Sequence, residues 1–171
     1  MMPYISNSFS CWLMTRELAS GNKRWISLGR IEGTSSSSKM LHGLPATFDP
    51  SRILLVGLRN WERDEIKVRQ QAYGLRHLAP HDVAHDSEAV KQWLRSCGAS
   101  KVVIHFDMDV LDPNEIVAAV GTDPEGMKIA EVVRLINDIA HEKELVGLTI
   151  AEPMPRTAIR IRSMLRQLPL F

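Results

Sequence analysis

The chain has 171 residues, 44% of them apolar and 24% charged, with a formal net charge of +1. That length and apolar share suit one globular domain with a real core, and the near-neutral charge argues against a nucleic-acid or membrane partner. No apolar run reaches spanning length, the first twenty residues lack the basic and compact apolar regions of a secretory signal, and Cys11 and Cys97 have no metal-type spacing; the expectation is a cytoplasmic protein with reduced thiols.

Residues 1–32 carry no sustained period. Trp12, Leu13 and Met14 are apolar, but Pro3, the serines and Gly21-Asn22 interrupt them. We expect this stretch to pack poorly. Residues 33–41 read as a Ser-rich loop leading to His42-Gly43-Leu44-Pro45. Residues 53–57 read as a strand buried on both faces of a parallel sheet, with Leu58-Arg59-Asn60 leaving its carboxyl end. A charged helix follows over 62–72, and 74–78 suits a short strand. His81 and His85 are four apart, but Pro80 and Asp86-Ser87 place them in a loop ahead of a helix that Asp86 or Ser87 caps. No metal site is assigned there. That helix, 87–96, buries Val90, Trp93 and Leu94 and is stopped by Gly98.

The chain is organised around residues 101–113. Val102, Val103 and Ile104 form an apolar run that reads as a strand buried on both faces, and it leads to Asp107 and Asp109. Side chains two apart on an extended chain point the same way. Open parallel α/β sheets hold ligands at the carboxyl ends of their strands. Two carboxylates there repel one another unless a hard or borderline dication sits between them; a solvated turn is the plainer use of the same pair. Asp112-Pro113 closes the loop. Farther on, Ile129, Val132, Val133, Ile136, Ile139 and Ala140 repeat at helical spacing, and the helix ends near Glu142. Residues 146–151 form the next buried strand, with Glu152 at its carboxyl end and Pro153 and Pro155 ending the pairing. A strand–helix–strand unit crosses over right-handed, so the two strands run parallel and Glu152 shares a sheet edge with Asp107 and Asp109. Residues 156–165 form a last amphipathic helix whose arginines are solvated.

The string Phe106-Asp107-Met108-Asp109-Val110-Leu111-Asp112-Pro113 resembles the signature of the ureohydrolases, the arginase, agmatinase and formiminoglutamase family. The resemblance implies an α/β fold: a partial three-layer α/β/α arrangement with a parallel sheet of about four strands. Residues 33–171 would be the C-terminal part of an arginase-like domain and 1–32 an atypical N-terminal segment. It also implies hydrolysis of a guanidino or formimino C–N bond by two manganese ions about 3.5 Å apart, with Asp107 and Asp109 as ligands. Ser38 and His42 match a substrate-contacting serine and a proton-shuttling histidine, a residue whose pKa lies near neutral; an ordinary loop histidine fits His42 as well. Gly57-Leu58-Arg59 matches the family's Gly-x-Arg. Glu62 is then the nearest match to an acid that holds the substrate's amino end, and a helix-start acid is the alternative. Gly147-Leu148 to Glu152 matches the context of a glutamate that clasps the guanidinium in bidentate fashion.

Two of the family's motifs are missing, Gly-Gly-Asp-His and Asp-Ala-His-x-Asp. By the family spacing, the ligands of the second would fall on Trp25, Ser27 and Gly29, which cannot hold manganese. The start of the chain is therefore expected to be foreign to the family, a divergent, frameshifted or wrongly joined segment, and the chain alone to be impaired or inactive. The implied partner is a small guanidino or formimino substrate, and a homo-oligomer is compatible with it. The alternatives are a non-catalytic subunit or regulator that docks on a complete ureohydrolase, and a gene fragment without function.

Overall fold

The computed structural model describes residues 11–16, 50–61, 64–119 and 123–170. Ser38, His42 and Glu62 lie outside the described residues, as do Trp25, Ser27 and Gly29. All described residues belong to one of the two compact units into which the chain divides.

Five strands make one sheet: β1 (Cys11–Arg16), β2 (Ile53–Val56), β3 (Arg76–Leu78), β4 (Lys101–Asp107) and β5 (Glu144–Ala151), in the spatial order β3-β2-β1-β4-β5. β2 pairs parallel with β3, and β4 with β5. β1 lies antiparallel to both β2 and β4. The strands β2 to β5 therefore all run one way, as the resemblance implies, and β1 is inserted among them reversed. For residues 11–16 this differs from the expectation of poor packing over 1–32; the rest of that stretch lies outside the described residues. Leu13 stands opposite Leu54 on one side and Ile104 on the other, at the centre of the sheet. The strand escaped the sequence because a central strand is held by backbone ladders on both sides. Such pairing needs no alternating pattern, only a stretch without proline.

Around the sheet lie α1 (Asp64–Ala72), α2 (Pro80–Val83), α3 (Glu88–Ser96), α4 (Ile129–Glu142) and α5 (Ala158–Leu165). α3 and α4 form where the apolar spacing places them. α3 buries Val90, Trp93 and Leu94, and α4 buries Val132, Leu135, Ile136 and Ile139. The start of α3 is capped by Asp86, whose Oδ1 accepts the Glu88 N–H at 2.8 Å. Gly98 takes φ 68° just beyond its end, the left-handed turn that glycine adopts without strain. At the start of α4, the Ile129 N–H donates to Glu115 Oε2 at 2.7 Å and the Lys128 N–H to Glu131 Oε2 at 2.9 Å. Arg95 joins the two helices through a two-pronged contact to Glu142, 2.8 and 3.1 Å. α2 is a helical turn where a loop was expected. Its first N–H groups are partly met by Asp82 Oδ2, which accepts from Ala79 N at 2.8 Å, and Val83 anchors it in the core.

One contiguous core joins Leu54 and Val56 of β2, Val102, Ile104 and Phe106 of β4, the inward faces of α3 and α4, and Ile161 and Met164 of α5. Each fully buried side chain of this size contributes about 1.5–3 kcal/mol. β4 alternates, however: Lys101, Val103, His105 and Asp107 are half-buried while their neighbours are inside. The apolar run was read as buried on both faces, and this strand buries one. β5 is also a half-exposed edge strand rather than a buried one, with Val146 36% exposed. α1 is the loosest helix and buries only Gln70. Gln70 accepts from Trp61 Nε1 at 2.5 Å and donates to the Leu75 carbonyl at 3.1 Å, and its Nε2 lies 3.1 Å from His77 Nδ1. Among the described residues, no helix is long and apolar enough to cross a membrane.

Candidate functional site

β4 ends at Asp107, and the chain turns at once into a 3₁₀ turn, Met108–Val110. The turn forms because the Asp107 side chain caps it: Oδ1 accepts the Asp109 N–H at 3.1 Å. The spacing of two was read as side-by-side placement on an extended strand. Here Asp109 belongs instead to the turn, and it is only 3% exposed. Met108 and Val110 are buried beside it.

The segment after Asp109 is tied down on several sides. The Met127 N–H donates to the Val110 carbonyl at 2.8 Å and the Asp112 N–H to the Met127 carbonyl at 2.8 Å, with Leu111 and Met127 paired in parallel. Gly126 is needed for this approach, since a Cβ there would stand 2.6 Å from the backbone of Leu111 and Asp112. Asp112 has the structural role expected of it. Its Oδ1 accepts the Asn114 N–H at 2.9 Å, and its carbonyl accepts from Glu115 and Ile116 at 3.0 Å each. The Met154 N–H donates to the Ala118 carbonyl at 2.7 Å, so the segment after β5 is fastened to the same loop.

In the parallel register of β4 and β5, Asp107 stands opposite Ala151. Glu152, the next residue, therefore emerges at the same sheet edge as Asp107, as the crossover argument requires. Its φ is 55°, left-handed for a residue with a side chain, a conformation that costs about 1–2 kcal/mol. Burial, and then the charge of Asp107, push the Glu152 carboxyl above its ordinary range. Burial also pushes up the Asp107 carboxyl, opposed by the Asp109 N–H and by His105. Both groups are thus costly to ionise where they stand.

Arg59 is part of this edge, and nothing in its sequence neighbourhood shows how. Its guanidinium reaches from the end of β2 to the loop beyond β4 and donates to the carbonyl of Asp109 at 3.0 Å. Burial pushes this group down, while the charges of Asp123, Asp109 and Asp112 act in the opposite sense. The signal lay in Gly57-Leu58-Arg59, but the partners are 50 or more residues away in sequence. His81, by contrast, sits on the surface 3.3 Å from Asp82.

Carboxylate oxygens at a sheet edge are the donor type that suits manganese. A hard dication takes six or so such ligands. Among the described residues no group of three or more His, Cys, Asp or Glu side chains is placed to hold a metal. Asp107 and Asp109 are of the right donor type, but two carboxylates fall short of the ligand number that one such dication takes, and further short of a bridged pair.

The Arginase family profile matches residues 30–165 of the chain. The N(1)-aminopropylagmatine ureohydrolase of Thermus thermophilus is 31% identical over 104 residues, which are 60% of this chain and 34% of that protein. The arginase of Eremothecium gossypii is 26% identical over 120 residues, 67% of this chain and 30% of that one. The chain thus spans about a third of the length of these curated relatives. Among solved structures, the formimidoylglutamase of Bacillus subtilis superposes with a TM-score of 0.61 at 17% identity, over 70% of this chain and 40% of that chain. The match to the family profile takes in the two strands and the crossover helix that set the acidic edge, and by it the chain belongs to the arginase family.

Proposed function

We propose that this chain carries the C-terminal part of a manganese site for hydrolysis of a guanidino or formimino C–N bond, and that it is impaired as a catalyst by itself. The observation that supports this best is the parallel register of β4 and β5, which brings Glu152 out beside Asp107 and the Asp109 turn. In this reading Asp107 and Asp109 are metal ligands, and manganese when bound supplies an activated water and balances their charge. Glu152 clasps the planar guanidinium or formimino group with both oxygens, and its left-handed backbone is the kind of strain that functional sites retain. Ser38 contacts the substrate, His42 moves the proton, and Glu62 holds the amino end, as the family resemblance implies.

The impairment follows from ligand number. By the family spacing, Trp25, Ser27 and Gly29 would fall where the first-loop ligands belong, and two aspartates hold a dication weakly. Calorimetric titration with Mn²⁺, together with a urea-release assay on arginine and agmatine, tests the proposal. The expected result is at most one weakly bound Mn²⁺ per chain and no urea. Two tightly bound Mn²⁺ would overturn the impairment, and no Mn²⁺ binding at all would overturn the metal assignment of Asp107 and Asp109.

A further inference from the structure

Arg59 makes three hydrogen bonds to main-chain carbonyls and is half-buried in doing so. Nη2 donates to the carbonyl of Asp109 at 3.0 Å and to that of Asp123 at 2.6 Å. Nε donates to the carbonyl of Pro124 at 2.8 Å. The next residue adds to the same grip, with Asn60 Nδ2 at 3.4 and 3.5 Å from the two carboxylate oxygens of Asp123. The three carbonyls come from the two ends of one long loop. One end carries the buried carboxylate of Asp109, and the other returns to Met127, where the chain pairs with Leu111. A guanidinium presents its donors in a rigid planar fork, so one side chain can hold carbonyls from two segments at fixed separation.

From this clasp we infer that Arg59 is a positioning residue for Asp109: it fixes the backbone from which that carboxylate projects and sets a permanent positive charge beside it. The inference rests on the proposed metal role of Asp109, but the clasp itself does not. Burying an acid to the depth of Asp109 is costly unless a cation lies near. Arg59 brings such a cation to Asp109 while its Nη2 and Nε are held by the three carbonyls. Lysine keeps the charge and loses the fork; methionine keeps much of the stem and loses both.

The test uses the full chain and the variants Arg59→Lys and Arg59→Met, with Arg95→Met as a control for loss of a surface arginine. Amide hydrogen exchange, read by mass spectrometry without added metal, reports the clasp. Exchange over residues 109–127 should rise at least about tenfold in Arg59→Met, less in Arg59→Lys and not in the control, while α4 stays protected. Unchanged exchange in Arg59→Met would overturn the inference. Calorimetry with Mn²⁺ alone then reports positioning. Second-sphere partners of metal ligands typically alter affinity by about 10–100-fold, and Arg59→Met should weaken Mn²⁺ binding within that range, with Arg59→Lys between it and the parent. Equal Mn²⁺ affinity in a variant whose loop has opened would show a purely structural clasp and overturn the positioning role. If the parent chain binds no Mn²⁺, the metal reading fails, and the clasp stands or falls on the exchange data.

Discussion

Glu152 leaves β5 one residue beyond the partner of Asp107, and the two carboxyls repel each other across the sheet edge. Burial is the larger cost for both. In the absence of a divalent cation, neutralising either group should stabilise the fold. Asp107→Asn is expected to raise the melting temperature in EDTA by about 2 °C, the scale of a small stabilising change in a chain of this size. The same variant should lose Mn²⁺ binding. A lower melting temperature in EDTA would show that Asp107 serves the fold through its charge, and not only through the cap it gives the turn.

Leu13→Pro tests the central position of β1. Proline removes the N–H of residue 13 and cannot sit within a strand that is paired on both sides. Residue 13 faces both Leu54 and Ile104. The expected loss is roughly 3 kcal/mol or more, seen as a collapse of the urea midpoint. A melt indistinguishable from the parent would remove β1 from the sheet.

Gly57 and Gly74 both take left-handed φ, 82° and 67°. They differ in surroundings. A Cβ at Gly57 would lie 2.2 Å from Val110 Cγ2, whereas nothing stands within 4 Å of one at Gly74. Gly74→Ala should therefore cost only backbone strain, about 1 kcal/mol. Gly57→Ala should cost about 3 kcal/mol, because the Val110 that must move belongs to the turn carrying Asp109. Urea denaturation of the pair checks the difference. Equal costs would mean that the turn gives way freely.

The Arg95–Glu142 contact predicts a pH dependence. The hydrogen bond from Arg95 and then its charge hold the Glu142 carboxyl below its ordinary range. A depressed acid contributes stability that is present above its unfolded value and is lost as pH falls through the folded one. Glu142→Gln should therefore lower the melting temperature slightly at pH 7. The gap to the parent should close as pH falls below the ordinary glutamate range, and also at high salt, since the contact is exposed. A gap that persists at pH 3 would assign the loss to something other than charge.

The helices α3 and α4 were legible because each repeats its apolar residues at the helical period and carries its own end signals, Asp86 and Gly98 for the first. Glu152 was placed at the correct edge by a rule of chain topology, since a right-handed crossover leaves parallel strands no other arrangement. The turn at Asp109 was not legible. An extended chain and a 3₁₀ turn are both open to Asp-Met-Asp, and it is the cap from Asp107 and the burial of Met108 and Val110 that decide.

Local order is what the residues determined by themselves: periods, caps, the Asp112 turn, and the acidic residues at strand ends. Tertiary structure alone decided the relations between distant segments. It set β1 reversed between β2 and β4, left one face of β4 half-exposed, and joined Arg59 to carbonyls 50 and more positions away. For β1 and Arg59 the physical reason is the same. Main-chain hydrogen bonds carry no record of which side chain they belong to, so contacts made through the backbone leave little trace in sequence until the fold brings the partners together.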